Sequence, residues 1–295
     1  MRMAPGLADA NGIVLAYETF GDPSDPPLLL VMGLSTQMLG WPEAFCKQLA
    51  AEGFYVIRFD NRDSGLSTHL DDLSVPNPVA VALRRRQPAY TLDDLAADTL
   101  GLMDALGLDG VNLVGASMGG FIAQLVALSE PNRIASLTLV MTSTGSRRVG
   151  RTAPKVLSSV LRRKPAPDRE AAIAASVEMF AMIGSPAYAL AEADVAEFAA
   201  QSYDRAYDPA GQRRQLAAVM AQSDRTVDLS RIAVPTVVMH GLHDPLVGPS
   251  GGIALAKAIP GARFVGFNGM GHDLPAVLWP DFINEIVRIS GRHKS

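Results

Sequence analysis

A serine hydroxyl attacks a carbonyl only when a base takes its proton and donors await the oxyanion, so the serines to examine are those in special turns. Two segments read Gly-x-Ser-x-Gly: Gly115-Ala116-Ser117-Met118-Gly119 and Gly248-Pro249-Ser250-Gly251-Gly252. Five loosely specified positions occur by chance, so context must separate the two. A nucleophilic serine of this kind needs a buried strand before it, a helix after it and small neighbours that let the turn tighten. Ser117 follows Val111-Asn112-Leu113-Val114 and opens a segment carrying Phe121, Ile122, Leu125, Val126 and Leu128. Ser250 comes directly after Pro249 and reads as an ordinary helix start. Ser117 is therefore the candidate nucleophile.

Five histidines are available as its base. His293 sits in a charged tail and His69 in a polar stretch, and both are expected to be solvated. His240 ends an apolar run and is expected to pack there, with His243 in the loop that follows. His272 lies in Asn268-Gly269-Met270-Gly271-His272, a Gly-rich loop on the same sheet edge as Ser117, and is the candidate base. A carboxylate must then hold the imidazole in the right tautomer. Asp244, in His240-Gly241-Leu242-His243-Asp244-Pro245, falls between serine and histidine in the chain order this architecture uses. The stretch Thr142 to Gly145 offers no carboxylate. Asp273 is expected to face solvent, and Asp60 to tie the loop from Asn61 to Ser67. The oxyanion donors are expected at the backbone N–H groups of Met118 and Leu34, with Gly33 permitting the tight backbone.

Holding these groups together requires a sheet whose strands end on one edge. Short apolar runs at 13–20, 27–32, 54–59, 111–114, 134–141, 235–240 and 262–267 read as strands. Helices are expected after Pro42, from a Thr91/Asp94 capping-box start, after Ser117, near 249–259 and near 278–289. A polar, Pro-containing insertion covers about 68–90. This alternation predicts an α/β fold with a mostly parallel, doubly wound sheet, which binds ligands beyond the carboxyl ends of its strands. Residues 142–234 show no clear strand and carry helical stripes such as Ile173, Val177, Phe180 and Leu216, Val219, Met220. They are expected to form an inserted helical cap, leaving 1–141 and 235–295 as the core domain. Phe180 and Ile183, with Met179 and Met182, are candidates to line a substrate pocket or to pack the cap's own core. Gly33 and Val247 are the candidate pocket residues from the core.

The chain has 295 residues, a formal charge of −4, 48% hydrophobic residues and one cysteine. That length suits one large domain or two small ones, and the apolar share is that of a globular protein. The slightly acidic balance gives no footprint for nucleic acid. Cys46 has no partner for an intrachain disulfide or a thiolate metal cluster and reads as inert packing. No metal set and no phosphate-binding glycine loop are evident, so neither metal nor cofactor is expected. The start, MRMAPGLADANG, lacks a signal-peptide apolar core, and the longest apolar run, Leu28 to Leu34, is far short of the ~20 residues that span a bilayer. A soluble, cytoplasmic protein is expected, with monomer or homodimer left open. Arg84-Arg85-Arg86 and the acid-free stretch 147–164 are expected to be solvated surface, the alternative being attraction of an anionic substrate or partner.

Together these residues resemble the α/β-hydrolase fold superfamily over nearly the whole chain. Leu29-Leu30-Val31-Met32-Gly33, the run from Arg58 to Ser67, Ser117-Met118-Gly119-Gly120 and Gly269-Met270-Gly271-His272 look like the branch containing aclacinomycin methylesterase. Bacterial carboxylesterases with a helical cap share much of the pattern. The triad implied by this resemblance falls on Ser117, Asp244 and His272, and the oxyanion pair on Leu34 and Met118. Met32 stands where many relatives carry His, a departure that leaves the backbone donor intact. The cap carries no motif for a particular substrate. The expected function is a serine hydrolase that cleaves carboxylic esters of small to medium apolar substrates through an acyl-enzyme. The alternatives are other reactions on the same triad (polyketide methylester removal, lactone opening, C–C bond hydrolysis, perhydrolysis or acyl transfer) and a ligand-binding module without turnover.

Overall fold

Central strands read as almost unbroken apolar runs because both of their faces are covered. The computed structural model describes residues 5–291, so His293 and the first four residues lie outside the described part. In chain order the elements are β1 (Gly6–Ala10), β2 (Ile13–Phe20), β3 (Pro27–Val31), α1 (Glu43–Ala51), β4 (Tyr55–Phe59), α2 (Pro78–Ala82), α3 (Leu92–Ala105), β5 (Val111–Ala116), α4 (Met118–Ser129), β6 (Ile134–Val140), α5 (Pro154–Arg162), α6 (Arg169–Ile183), α7 (Glu192–Arg205), α8 (Pro209–Ala221), β7 (Thr236–Gly241), α9 (Ser250–Ala258), β8 (Arg263–Phe267) and α10 (Trp279–Ile289). The strands form one eight-stranded sheet in the order β1-β2-β4-β3-β5-β6-β7-β8. Only the β1–β2 and β2–β4 pairs are antiparallel.

The mostly parallel sheet is the expected one, with one addition. β1 is an edge strand whose Leu7 is exposed and whose inward residues are the small Ala8 and Ala10, so it carries almost no apolar signal. The expected helix starts hold: α3 is capped by Thr91 and Asp94 in a reciprocal box. The polar stretch near 68–90 contains the short α2, capped by the Asn77 side chain.

Burial divides the core between the two sheet faces. On one face Leu29, Val31 and Leu113 pack against Leu95, Leu102 of α3 and Ile122, Val126 of α4. On the other, Leu30, Val56 and Val114 meet Phe45, Leu49 of α1 and Phe282, Ile286 of α10. α4 is apolar on most sides and packs against both α3 and the sheet. Burying each large apolar side chain contributes about 1.5–3 kcal/mol, which makes these central strands the rigid part of the molecule.

Between β6 and β7 the chain leaves the sheet and forms α5 to α8. α6 packs on α7, with the Phe180 and Phe198 rings edge-to-face at 6.1 Å, and α8 packs on α2. Among the described residues, no helix is long and apolar enough to cross a membrane.

Candidate functional site

One residue separates β5 from α4, and that residue is Ser117. It holds φ 56° and ψ −116°, a backbone region costly for a residue with a Cβ, at about 1–3 kcal/mol. The neighbours make the turn possible. A Cβ on Gly119 would run into the Val31 carbonyl, and one on Gly115 into the carbonyl of Gly119. The Ser117 N–H donates to the Val140 carbonyl at 2.9 Å, which pins the turn to β6. The side chain is left half-exposed at the carboxyl edge of the sheet.

The loops after β7 and β8 bring two further groups to it. His272 Nε2 lies 3.0 Å from Ser117 Oγ, and His272 Nδ1 lies 2.7 Å from Asp244 Oδ2. The other oxygen, Asp244 Oδ1, accepts the backbone N–H groups of Leu246 and Val247 at 2.8 and 2.9 Å. An ionised carboxylate only accepts, so Nδ1 carries the imidazole proton and the Nε2 lone pair faces the serine. The Asp244 side chain has no solvent exposure, so water does not compete for that proton.

The loop after β3 passes beside the serine. A Cβ on Gly33 would stand 3.1 Å from Ser117 Cβ and 3.6 Å from Ser117 Oγ. The next residue, Leu34, is half-buried. Met118 opens α4, so its N–H is one of those a helix cannot satisfy internally. Two side chains far away in sequence brace this loop. Asn61 Nδ2 donates to the Met32 carbonyl at 3.0 Å. Gln215 of α8 accepts from Ser35 N–H at 2.9 Å and donates to the Arg62 carbonyl at 2.7 Å. Sequence reasoning missed Gln215, since a lone Gln on a helix carries no signal of burial, yet it is 1% exposed.

Two expectations are corrected. Asp273 does not face solvent: it is 8% exposed and accepts the Ser185 hydroxyl, because the segment after α6 lies across it. Burial pushes its carboxyl above the ordinary 3.8. His69 is not solvated but half-buried, with Nδ1 2.7 Å from Asp208 and Nε2 3.0 Å from the Gly65 carbonyl. Burial opposes its charge, but the hydrogen bonds to Asp208 and Gly65 outweigh it and raise its pKa above 6.5.

Other residues lie as expected or gain a clear task. Asp60 ties its loop through Leu66 N–H at 3.0 Å, and also takes Met38 N–H at 2.7 Å and Arg205 at 2.6 Å. His240 is buried at its strand end and donates from Nε2 to the Val247 carbonyl at 2.7 Å, while burial lowers its pKa. Exposed His243 accepts Gly269 N–H at 3.1 Å. Ser250 starts α9, with its hydroxyl accepting Gly150 N–H at 3.0 Å. Cys46 is buried, and desolvation pushes its thiol up to about 12, so it carries no thiolate.

The expected pocket residues reach the site chiefly through backbone. Val247 serves Asp244 by its N–H and His240 by its carbonyl. Buried Ile183 accepts His272 N–H at 2.7 Å, and Phe180 meets Phe198. Arg84, Arg147 and Arg148 are exposed, as expected, around a cleft of about 450 Å³ that also holds Asp224. Asp63, His69 and Asp208 gather closely enough for a cation. Their oxygens are already engaged: Arg214 grips Asp63 at 2.8 Å through two nitrogens, Tyr90 donates to it at 2.7 Å, and Asp208 takes His69. This is a neutralised ion-pair network joining α8 to the core.

Comparison with known proteins matches this geometry to one fold. A family model described as the alpha/beta hydrolase fold matches residues 26–276. The chain is similar to a rhodomycin D methylesterase of Streptomyces peucetius, at 30% identity over 297 residues, covering 89% of this chain and 90% of that protein. Among solved structures, the enol-lactonase from Burkholderia xenovorans aligns with a TM-score of 0.75 and 25% identity, over 96% of this chain and 99% of that one. A thermophilic esterase from Thermogutta terrifontis aligns with a TM-score of 0.70 and 26% identity, over 98% and 99% of the two chains.

Proposed function

The chain belongs to the α/β-hydrolase fold family, and from that premise we propose that it is a carboxylic ester hydrolase working through a Ser117–His272–Asp244 triad. The observation that carries the reading is the continuous relay from Ser117 Oγ to His272 Nε2 at 3.0 Å and from His272 Nδ1 to Asp244 at 2.7 Å. A strained turn lifts the serine, and a buried carboxylate fixes the tautomer its base needs.

In the first half-reaction His272 takes the Ser117 proton as Oγ bonds to the ester carbonyl carbon. The N–H groups of Met118 and Leu34 receive the oxyanion, a role in which losing one donor costs about 3–4 kcal/mol. The C–O bond to the alcohol then breaks, and the alcohol leaves with the proton held by His272. Water repeats the cycle on the acyl-enzyme, releasing the acid and restoring Ser117. Residues 142–234 act as the cap, and Phe180 and Ile183 with Gly33 and Val247 border the acyl and alcohol subsites.

Small to medium apolar esters are the substrate class, and methyl esters come first because a relative is named a methylesterase. The test is hydrolysis of methyl esters and of p-nitrophenyl esters of graded acyl length, with mass mapping of a fluorophosphonate adduct. Turnover with the adduct on Ser117 is expected. An unchanged rate in Ser117→Ala, or an adduct elsewhere, refutes the reading. Lactone opening is the second reading, favoured by the likeness to an enol-lactonase over nearly the full length of both chains. A lactone assay in the same panel ranks the two.

A further inference from the structure

We propose that Ser185 and Asp273 form a latch that positions the loop carrying His272, so that the segment following α6 sets the catalytic geometry; this rests on the acyl-transfer reading above.

The chain from Ile183 to Tyr188 runs across the loop from Asn268 to Asp273 and is stitched to it. His272 N–H donates to the Ile183 carbonyl at 2.7 Å, and Ala187 N–H to the Gly269 carbonyl at 3.1 Å. Tyr188 Oη donates to the Asn268 carbonyl at 3.2 Å. Gly271 N–H donates to Ser185 Oγ at 2.9 Å, and Ser185 Oγ in turn donates to Asp273 Oδ1. A hydroxyl owns one proton, so accepting from Gly271 leaves that proton for Asp273. The contact is backbone against backbone: a Cβ on Gly271 would collide with the carbonyls of Gly184 and Ile183. Ser185 is 2% exposed and Asp273 8%, so water does not replace either partner.

The arrangement answers a need specific to this loop. Gly269 and Gly271 make the approach to His272 the most permissive backbone available. Asp244 fixes which imidazole nitrogen carries the proton, but one hydrogen bond at Nδ1 does not fix where the ring's α-carbon stands. The latch grips Gly271 and Asp273, the residues on either side of His272, and thereby sets the distance from Nε2 to Ser117 Oγ. A misplacement of about 1 Å at a reacting atom costs about 10²-fold in rate. The burial that raises the Asp273 carboxyl agrees with a group kept for its hydrogen bonds rather than for solvent contact.

The experiment uses the full chain carrying Ser185→Ala, Asp273→Ala or Asp273→Asn. It measures kcat and KM on p-nitrophenyl acetate, the rate of Ser117 labelling by a fluorophosphonate, and the thermal midpoint. Ser185→Ala and Asp273→Ala are expected to lower kcat and labelling together by about tenfold at unchanged KM. Asp273→Asn keeps an acceptor for the Ser185 hydroxyl and recovers most of that loss. Should Asp273→Ala fail to fold, Ser185→Ala, which deletes one oxygen, decides the matter. A Ser185→Ala kcat within about twofold of wild type overturns the latch, as does a loss confined to KM or one that Asp273→Asn shares in full. If the wild-type chain takes no label at Ser117, the acyl-transfer reading falls and the latch with it. Normal wild-type labelling with indifferent variants removes the latch alone.

Discussion

Asp244→Asn tests the relay at the one place where a single atom changes and the packing does not. Asp244 Oδ1 accepts two backbone N–H groups, from Leu246 and Val247. An asparagine that keeps its oxygen there places its NH₂ where Oδ2 now meets His272 Nδ1. The amide then donates to Nδ1, the imidazole proton moves to Nε2, and no lone pair faces Ser117. A triad aspartate lost this way lowers kcat by about 10⁴-fold, or about 5 kcal/mol at ~1.36 kcal/mol per decade. The flipped amide keeps the right tautomer but sets an NH₂ against the two N–H groups. At about 1–3 kcal/mol for each unsatisfied donor, flipping costs about 2–6 kcal/mol. The cheaper route governs the rate, so kcat is expected to fall by about 30-fold to about 10⁴-fold. The thermal midpoint stays close to wild type, because the unflipped oxygen keeps both backbone bonds. The assay is p-nitrophenyl acetate hydrolysis beside a thermal melt. A folded Asp244→Asn chain retaining kcat within about tenfold of wild type would refute the reasoning.

Three further expectations follow from contacts outside that pair. Ser117→Gly and Ser117→Ala are both inactive, but the glycine chain is the more stable by about 1 kcal/mol, since glycine accepts φ 56° freely; equal denaturant midpoints would remove the strain argument. Gln215→Ala deprives Ser35 N–H of its acceptor and the Arg62 carbonyl of its donor. Stability falls by about 2 kcal/mol and kcat by about tenfold at unchanged KM; an unaltered kcat shows that the oxyanion loop needs no such brace. His69 has its pKa raised in the folded chain, so its contribution is complete below about 6.5 and lost as pH rises through the higher folded value. The wild-type thermal midpoint is therefore expected to drop more between about pH 6 and about pH 8 than that of His69→Gln; parallel curves would exclude the His69–Asp208 contribution.

What was legible in the sequence was whatever a repeating local pattern encodes. The strands show as apolar runs because both their faces are covered, and the Ser117 turn shows because Gly115 and Gly119 must be small to let the chain reverse. Asp244 and His272 were readable through their places after the last two strands. Asp273 and His69 misled because isolated polar residues in loops are usually solvated. Their burial is set by partners 88 and 139 residues away, Ser185 and Asp208, and no local pattern announces such contacts. Gln215 was missed for the same reason: its partner Ser35 is 180 residues distant.

Those long-range contacts share one origin, and it bears on how the site works. The sheet fixes the ends of β3, β5, β7 and β8, and the glycine-bearing loops beyond β3 and β8 take core contacts from Asn61 and His243. Each is braced by the helical block between β6 and β7: Gln215 of α8 holds Ser35 beside the oxyanion loop, and the segment after α6 holds Gly271 and His272. α7 joins the same frame through Arg205 on Asp60, whose other oxygen holds Met38 N–H. A catalytic constellation has to be kept within about 0.5 Å of its productive geometry, and loops alone do not reach that standard. The helical block between β6 and β7 thus supports groups on either side of Ser117. If, as proposed, the same helices border the substrate, then substrate selection and catalytic geometry are coupled through them. On that reading, a change in the helices is expected to shift the loop at Ser35 or the loop at His272 unless the contacts of Gln215 and Ser185 are kept.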